Sequence, residues 1–139
     1  MKTLIVEDDF TSRLLLIKLL TPYGAAHPAV NGREAVDVVR HALENGEPYD
    51  LICLDIMMPE MDGQTALKRI RGLEAERGVS SGTAAKIIMT TALNDMTNVA
   101  GAYKGLCDAY LVKPIAKAKL LEELRKFGLL PAPKTVGTF

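Results

Sequence analysis

Charged and hydroxyl side chains follow four separate strand-like apolar runs in this chain. Glu7-Asp8-Asp9 comes after residues 3–6, Asp55 after residues 51–54, Thr90-Thr91 after residues 86–89, and Lys113 after residues 109–112. An apolar run of this length between turn signals reads as a strand buried on both faces. Open α/β proteins place their chemistry at the tips of such strands. Carboxylates brought together repel one another unless a cation sits among them. Oxygen-only ligation with few protein groups suits Mg²⁺, or Mn²⁺ in its place. The bland alternative is that the acidic trio only complements the amino terminus of a helix. Asp55 could act as a nucleophile, because carboxylates form aspartyl phosphates. Attack on phosphorus needs in-line positioning and charge neutralisation more than covalent machinery. Lys113 could supply a point charge and Thr91 a hydroxyl donor. Pro114 follows Lys113, so that bond is a candidate cis peptide, which would aim the ammonium back at the site.

Five strand-like segments alternate with helix-like ones and must position these groups. The spacing predicts strands over residues 3–6, 25–30, 51–54, 86–90 and 108–112. Helical periods fall over residues 11–20, 33–43, 64–77 and 116–127, with a short helix capped by Asn94 or Asp95 and ending near Lys104. Asn31 reads as a cap for the second helix. Strict alternation implies a parallel sheet covered by helices on both faces. Pro28 belongs on a sheet edge. An edge-like second strand fits an α/β flavodoxin-like (βα)5 sandwich with order 2-1-3-4-5. Asp55 would then lie between the acidic cluster and Thr91. Residues 78–85, small and polar, read as a flexible loop. One domain is expected over residues 1–127, with residues 128–139 a loose extension.

Composition narrows the class. The chain has 139 residues, with 17 Lys plus Arg against 17 Asp plus Glu, so its formal net charge is zero. That balance argues against a nucleic-acid or membrane electrostatic surface. Tryptophan is absent and other aromatics are few, which disfavours a stacking platform for single strands. The two cysteines, Cys53 and Cys107, lie in apolar contexts and read as reduced thiols. No signal pattern and no apolar stretch near ~20 residues is visible. A cytoplasmic protein is the expectation.

These residues resemble the receiver domain of two-component response regulators. The resemblance rests on Val6-Glu7-Asp8-Asp9 followed by Arg13, on Leu54-Asp55-Ile56-Met57-Met58-Pro59-Glu60-Met61-Asp62-Gly63, on Met89-Thr90-Thr91-Ala92, and on Tyr110-Leu111-Val112-Lys113-Pro114. It extends over about residues 2–127. It implies that Asp55 is the phosphoacceptor. It also implies that Glu7, Asp8, Asp55 and the backbone carbonyl of Met57 hold the metal, Asp8 directly and Glu7 through water. Asp9 is the alternative partner of Asp8. Thr91 is the implied switch hydroxyl, with Thr90 the alternative if the alignment slips by one. Lys113 is the family's site lysine. Tyr110 is the aromatic whose rotamer reports activation, or else a half-buried strand residue.

By the same resemblance the chain is a phosphorylation-dependent signalling switch of a phosphorelay. It is not an enzyme on external substrates, and catalyses only its own phosphoryl transfer and slow autodephosphorylation. The donor would be a histidine kinase or histidine phosphotransfer domain. A downstream protein would bind the face built from residues 94–104, the fifth strand and the last helix. A phosphorylation-dependent homodimer is also within the family's range. Met57 and Leu93, two residues beyond Asp55 and Thr91, are apolar and cannot orient a water, which predicts slow loss of phosphate. Residues 74–85 are longer than the family's usual segment, and Gly105-Leu106-Cys107-Asp108 departs from its common turn. Two other classes compete. A flavodoxin-like cofactor carrier would need a hydroxyl- and glycine-rich loop where Glu7-Asp8-Asp9 stands. A phosphatase with an aspartate nucleophile would favour an acid where Met57 stands.

Overall fold

The computed structural model describes residues 1–58, 60–92 and 106–131. The expected helix after the fourth strand, with Leu93, Asn94, Asp95 and Lys104, lies outside the described residues, as do residues 132–139. In chain order the elements are β1 (Thr3–Val6), α1 (Phe10–Leu20), a single 3-10 turn (Thr21–Tyr23), β2 (Ala26–Ala29), α2 (Gly32–Glu44), β3 (Leu51–Asp55), α3 (Gly63–Glu76), β4 (Lys86–Thr91), β5 (Ala109–Val112) and α4 (Lys117–Lys126). The sheet runs β2-β1-β3-β4-β5, and every pairing is parallel. Every residue of β1 and β3 is buried, as the apolar runs at residues 4–6 and 51–54 require. On β2, at the edge, His27 and Pro28 are exposed. A proline is tolerated there because no outer strand needs its missing N–H.

Side chains alternate between two apolar layers. Leu4, Val6, Ile52, Leu54, Ile87 and Met89 join residues of α2 and α3. Ile5, Leu51, Cys53, Ile88 and Leu111 join α1 and α4 through Leu16, Leu20, Leu120 and Leu124. The period of two sends Asp55 to the same side as Cys53, toward α1 and α4. Leu129 and Leu130, just past α4, also lie against this second layer. Burial pushes the Cys53 thiol up to about 12, so it stays protonated and inert.

Three helix starts share one device. The carboxylates of Asp9 and Asp62 and the amide oxygen of Asn31 accept hydrogen bonds from the N–H groups of Ser12, Thr65 and Glu34 at 2.9, 2.8 and 2.8 Å. The Asp9 cap starts α1 at Phe10, one residue before the helical period becomes visible in the sequence.

Residues 78–85 are not the loose loop that their composition suggests. Gly78, at φ +70°, closes α3, with its N–H on Ala75 O at 3.1 Å and the Val79 N–H on Glu74 O at 2.9 Å. Ser80 O then accepts from Thr83 N and Ala84 N at 3.0 and 2.9 Å. The segment ends on the buried Glu74 carboxylate, which accepts from Ala85 N at 2.9 Å. Arg71 completes this junction. It donates to Glu74 (2.7 Å), Ala85 O (2.8 Å), Leu106 O (2.7 Å) and Asp108 (3.0 Å). Asp108 in turn accepts from Ile87 N at 2.8 Å. One guanidinium therefore ties α3, the start of β4 and the approach to β5.

Removing Arg71 would leave the Glu74 carboxylate buried without its cation. Arg71→Ala is expected to cost about 3–5 kcal/mol in urea unfolding. Arg40→Ala, which breaks the exposed Arg40–Asp37 pair (2.9 Å), is expected to cost less than about 1 kcal/mol. Equal losses in the two variants would contradict the assignment.

Candidate functional site

The carboxyl ends of the central strands bring the sequence candidates together. Glu7 continues from β1 and is buried, while Asp8 beside it is exposed. Asp55 is the last residue of β3 and only 5% exposed. One oxygen from each of Glu7, Asp8 and Asp55 lies within 4.8 Å of the other two. Lys113, just after β5, forms an ion pair with Glu7 and lies 3.3 Å from Asp55 Oδ1. The Lys113–Pro114 peptide bond is cis. Asp55 Oδ1 also accepts from the N–H of Met57 at 3.3 Å. Asp9 takes no part in the cluster, because its carboxylate is the α1 cap. Its pKa is held down by the hydrogen bonds from Ser12.

The turn after Asp55 is tight. Gly63 N–H donates to Ile56 O at 2.9 Å. A Cβ on Gly63 would fall 2.1 Å from Asp55 O. Only glycine allows the start of α3 to lie against the end of β3, which is the physical reason for a glycine right after the Asp62 cap.

Thr91 is buried at the end of β4, and its hydroxyl donates to Ala92 O at 3.1 Å. Thr90, also buried, is in register with Asp55. Tyr110 on β5 is half-buried against the α2–α3 layer. Burial and the neighbouring Cys107 thiol push its phenol up to about 12, so it remains neutral.

The electrostatics are those of crowded carboxyl groups with too little positive charge. Burial, then the hydrogen bond and negative charge of Glu7, push Asp55 up to about 8, against the opposing pull of Lys113. Burial also works to raise Glu7. Its hydrogen bonds to Asp55 and Lys113, with the Lys113 charge, outweigh that and hold it below the usual range. Burial works to lower Lys113, and Glu7 and Asp55 together keep it raised. Glu7 Oε2 is buried with no hydrogen-bond donor among the described residues. A proton shared with Asp55, or a cation, would satisfy it. An all-oxygen donor set with one exposed carboxylate fits a hard divalent cation that keeps several waters.

The response regulator receiver domain family model matches residues 3–125. The chain belongs to this family. It is 32% identical over 127 residues to the chemotaxis protein CheY of Bacillus subtilis, covering 90% of this chain and 95% of that protein. It spans only 7% to 14% of the length of the histidine-kinase relatives it matches. Among solved structures, it is similar to a co-crystal of the Saccharomyces cerevisiae phosphotransfer protein Ypd1 with the receiver domain of Ssk1. That match has a TM-score of 0.77 and 28% identity, and covers 98% of this chain and 94% of that one. A CheX–CheY–BeF3–Mg²⁺ complex from Borrelia burgdorferi matches with TM-score 0.73 and 30% identity, over 91% of this chain and 87% of that one. These receiver domains share the flavodoxin-like five-stranded order found here. No helix among the described residues is long and apolar enough to cross a membrane.

Two features of the site were not read from the sequence. One is the commitment of Asp9 to the helix cap. The other is an exposed apolar collar on the first turns of α1 and just past Asp55: Phe10 (67%), Leu14, Leu15 and Met57 (66%), of which Leu15 lines a cavity with Glu7 and Lys113. The unbroken Leu14-Leu15-Leu16 run was the available signal for the collar, since a helix apolar on more than one face has more than one thing to bury.

The raised Asp55 pKa fixes a pH dependence. Between the unfolded carboxyl value near 3.8 and about 8, the folded protein binds the extra proton. Stability is therefore highest at the acidic end of that window and falls as pH rises through it. In EDTA, Asp55→Asn is expected to flatten this slope and to raise Tm at pH 8 by roughly 3 °C or more. Millimolar Mg²⁺ is expected to stabilise the wild type and not the variant, as read by thermal denaturation.

Proposed function

We propose that this chain is a phosphorylation-dependent switch in a phosphorelay, with Asp55 as the phosphoacceptor. The observation that carries the reading is the convergence of Glu7, Asp8 and Asp55 on one point with Lys113 beside them. Asp8, Asp55 and the Met57 carbonyl would hold Mg²⁺, with Glu7 acting through water. The bound ion supplies charge neutralisation for the phosphoryl oxygens and favours the ionised form of Asp55. In the transfer, an Asp55 oxygen attacks phosphorus, the P–N bond of a phosphohistidine breaks, and the imidazole leaves with the bonding pair. Lys113 holds a fixed positive charge beside Asp55, where it would stabilise the negative phosphoryl oxygens as they arrive in the transition state. The exposed apolar side chains of Phe10, Leu14, Leu15 and Met57 suit a helical donor whose histidine must reach Asp55 while water is kept out.

The readout follows from Thr91. Its hydroxyl donates to the adjacent carbonyl of Ala92 in the described state and is free to be recruited by a phosphoryl group. Movement of Thr91 would open space for Tyr110. The surface of β5 and α4, where Tyr110, Val112, Lys119 and Glu122 line a groove, would then change its preference for a downstream protein. Only a difference in affinity between the two states makes such a change a signal. In this reading residues 1–127 form the switch, and the protein turns over no external substrate.

Acetyl phosphate with Mg²⁺ is expected to phosphorylate the wild type, with an aspartyl phosphate at Asp55 seen by mass spectrometry, and to leave Asp55→Asn unmodified. With Met57 unable to orient water, the phosphoryl group should persist for minutes, and a lifetime of seconds would count against this mechanism. Leu15→Glu should slow transfer from a phosphotransfer domain by about tenfold or more and leave labelling by acetyl phosphate unchanged.

A further inference from the structure

The loop between β1 and α1 carries two of the three converging carboxylates, and it leaves the sheet after Glu7. The Glu7 N–H is the last backbone group there to reach a neighbouring strand, pairing with Ala29 O at 3.0 Å. Asp9 then caps α1. Between those anchors the carbonyls of Glu7 and Asp8 accept from no strand or helix N–H among the described residues. Arg13, in the first turn of α1, reaches back to both. Its Nη1 donates to Glu7 O at 2.8 Å and to Asp8 O at 3.4 Å. Its guanidinium sits over the Phe10 ring, 5.7 Å from the centroid. Its own N–H is held by Asp9 O at 2.9 Å.

We infer that Arg13 is a positioning residue for the cation site, holding the Glu7 and Asp8 carbonyls so that the exposed Asp8 carboxylate faces Glu7 and Asp55. The inference rests on reading those three carboxylates as the cation site. Its physical interest lies in its sign. A guanidinium near a divalent cation repels it, so charge alone predicts that losing Arg13 would tighten binding. Positioning predicts the opposite, because groups that orient a metal's direct ligands set much of its affinity. A single guanidinium nitrogen meets both carbonyls, and the plane that carries it lies over the Phe10 ring, whereas a lysine ammonium on a flexible stem is not held in that position.

The test is titration of the purified chain with Mg²⁺ alone, by calorimetry, for the wild type, Arg13→Ala, Arg13→Lys and Asp8→Asn. Amide hydrogen exchange at Asp8 and Asp9 is followed in the metal-free protein. Arg13→Ala is expected to weaken Mg²⁺ binding about tenfold and to speed exchange at these amides without metal. Arg13→Lys keeps the charge and loses the plane that lies over Phe10 and fixes the donating nitrogen, and is expected to weaken binding at least threefold. It also decides the matter should Arg13→Ala fail to fold. Affinity within twofold of wild type in Arg13→Lys, or tighter binding in Arg13→Ala, overturns the inference. Binding unaffected by Asp8→Asn instead overturns the reading of the site itself.

Discussion

Glu7 and Asp55 hold two carboxyl groups almost out of water at the carboxyl end of the sheet, with one ammonium, Lys113, against them. That arrangement is electrostatically unfavourable without a proton or a cation, as the raised Asp55 pKa records. It persists because each member is fixed by backbone that cannot relax. Glu7 and Asp55 end neighbouring strands, β1 and β3, that are buried on both faces. Lys113 follows a strand whose partner, β4, lies on the other side of β3. A different strand order would separate these groups. The sheet topology is therefore the precondition for the chemistry, and the site's unmet charge is what gives a divalent ion and a phosphoryl group something to stabilise.

The rigidity that this demands is supplied at the opposite end of the sheet. There Arg71, Glu74 and Asp108 form a closed set of ion pairs and hydrogen bonds that also satisfies Ala85 N and Ile87 N. Every charged partner in that junction is matched, in contrast to the carboxyl end, where Glu7 Oε2 is left over. A molecule that must change state at one end gains from being immovable at the other. The segment after α3 delivers Ala85 and β4 to this junction.

Much of the site was legible because its residues interrupt a strong pattern. A carboxylate or lysine after a buried strand has no packing reason to be there, so Glu7, Asp55 and Lys113 stood out. Parallel order followed from strict alternation and from Pro28 at an edge. What could not be read depends on side-chain direction. Asp8 and Asp9 have the same chemistry one residue apart, and only the hydrogen bond from Ser12 to Asp9 separates ligand candidate from helix cap. The loop at residues 78–85 has the composition of a flexible segment. It is ordered by long-range bonds to Glu74 that local composition does not encode. Arg71 and Asp108 lie 37 residues apart, a pairing that no local period reports.

Helix α1 links the separate requirements of the site. Its inner face, Leu16 and Leu20, packs on the sheet. Its first turn supplies the Asp9 cap and Arg13, which together brace the acidic loop. Its outer face leaves Phe10, Leu14 and Leu15 in solvent, with Leu15 on a cavity shared with Glu7 and Lys113. A phosphoacceptor must be open to a bulky donor protein yet poor in ordered water, since the same water that hydrates an open carboxylate hydrolyses its acyl phosphate. Polar residues around the site would help neither demand. An apolar rim meets both, because it binds a helical partner by burial and offers free water no hydrogen bond by which to be held in line. In the proposed function the donor-docking surface and the shield of the phosphorylated state would be the same side chains, which would account for a helix that needs only one apolar face and carries two.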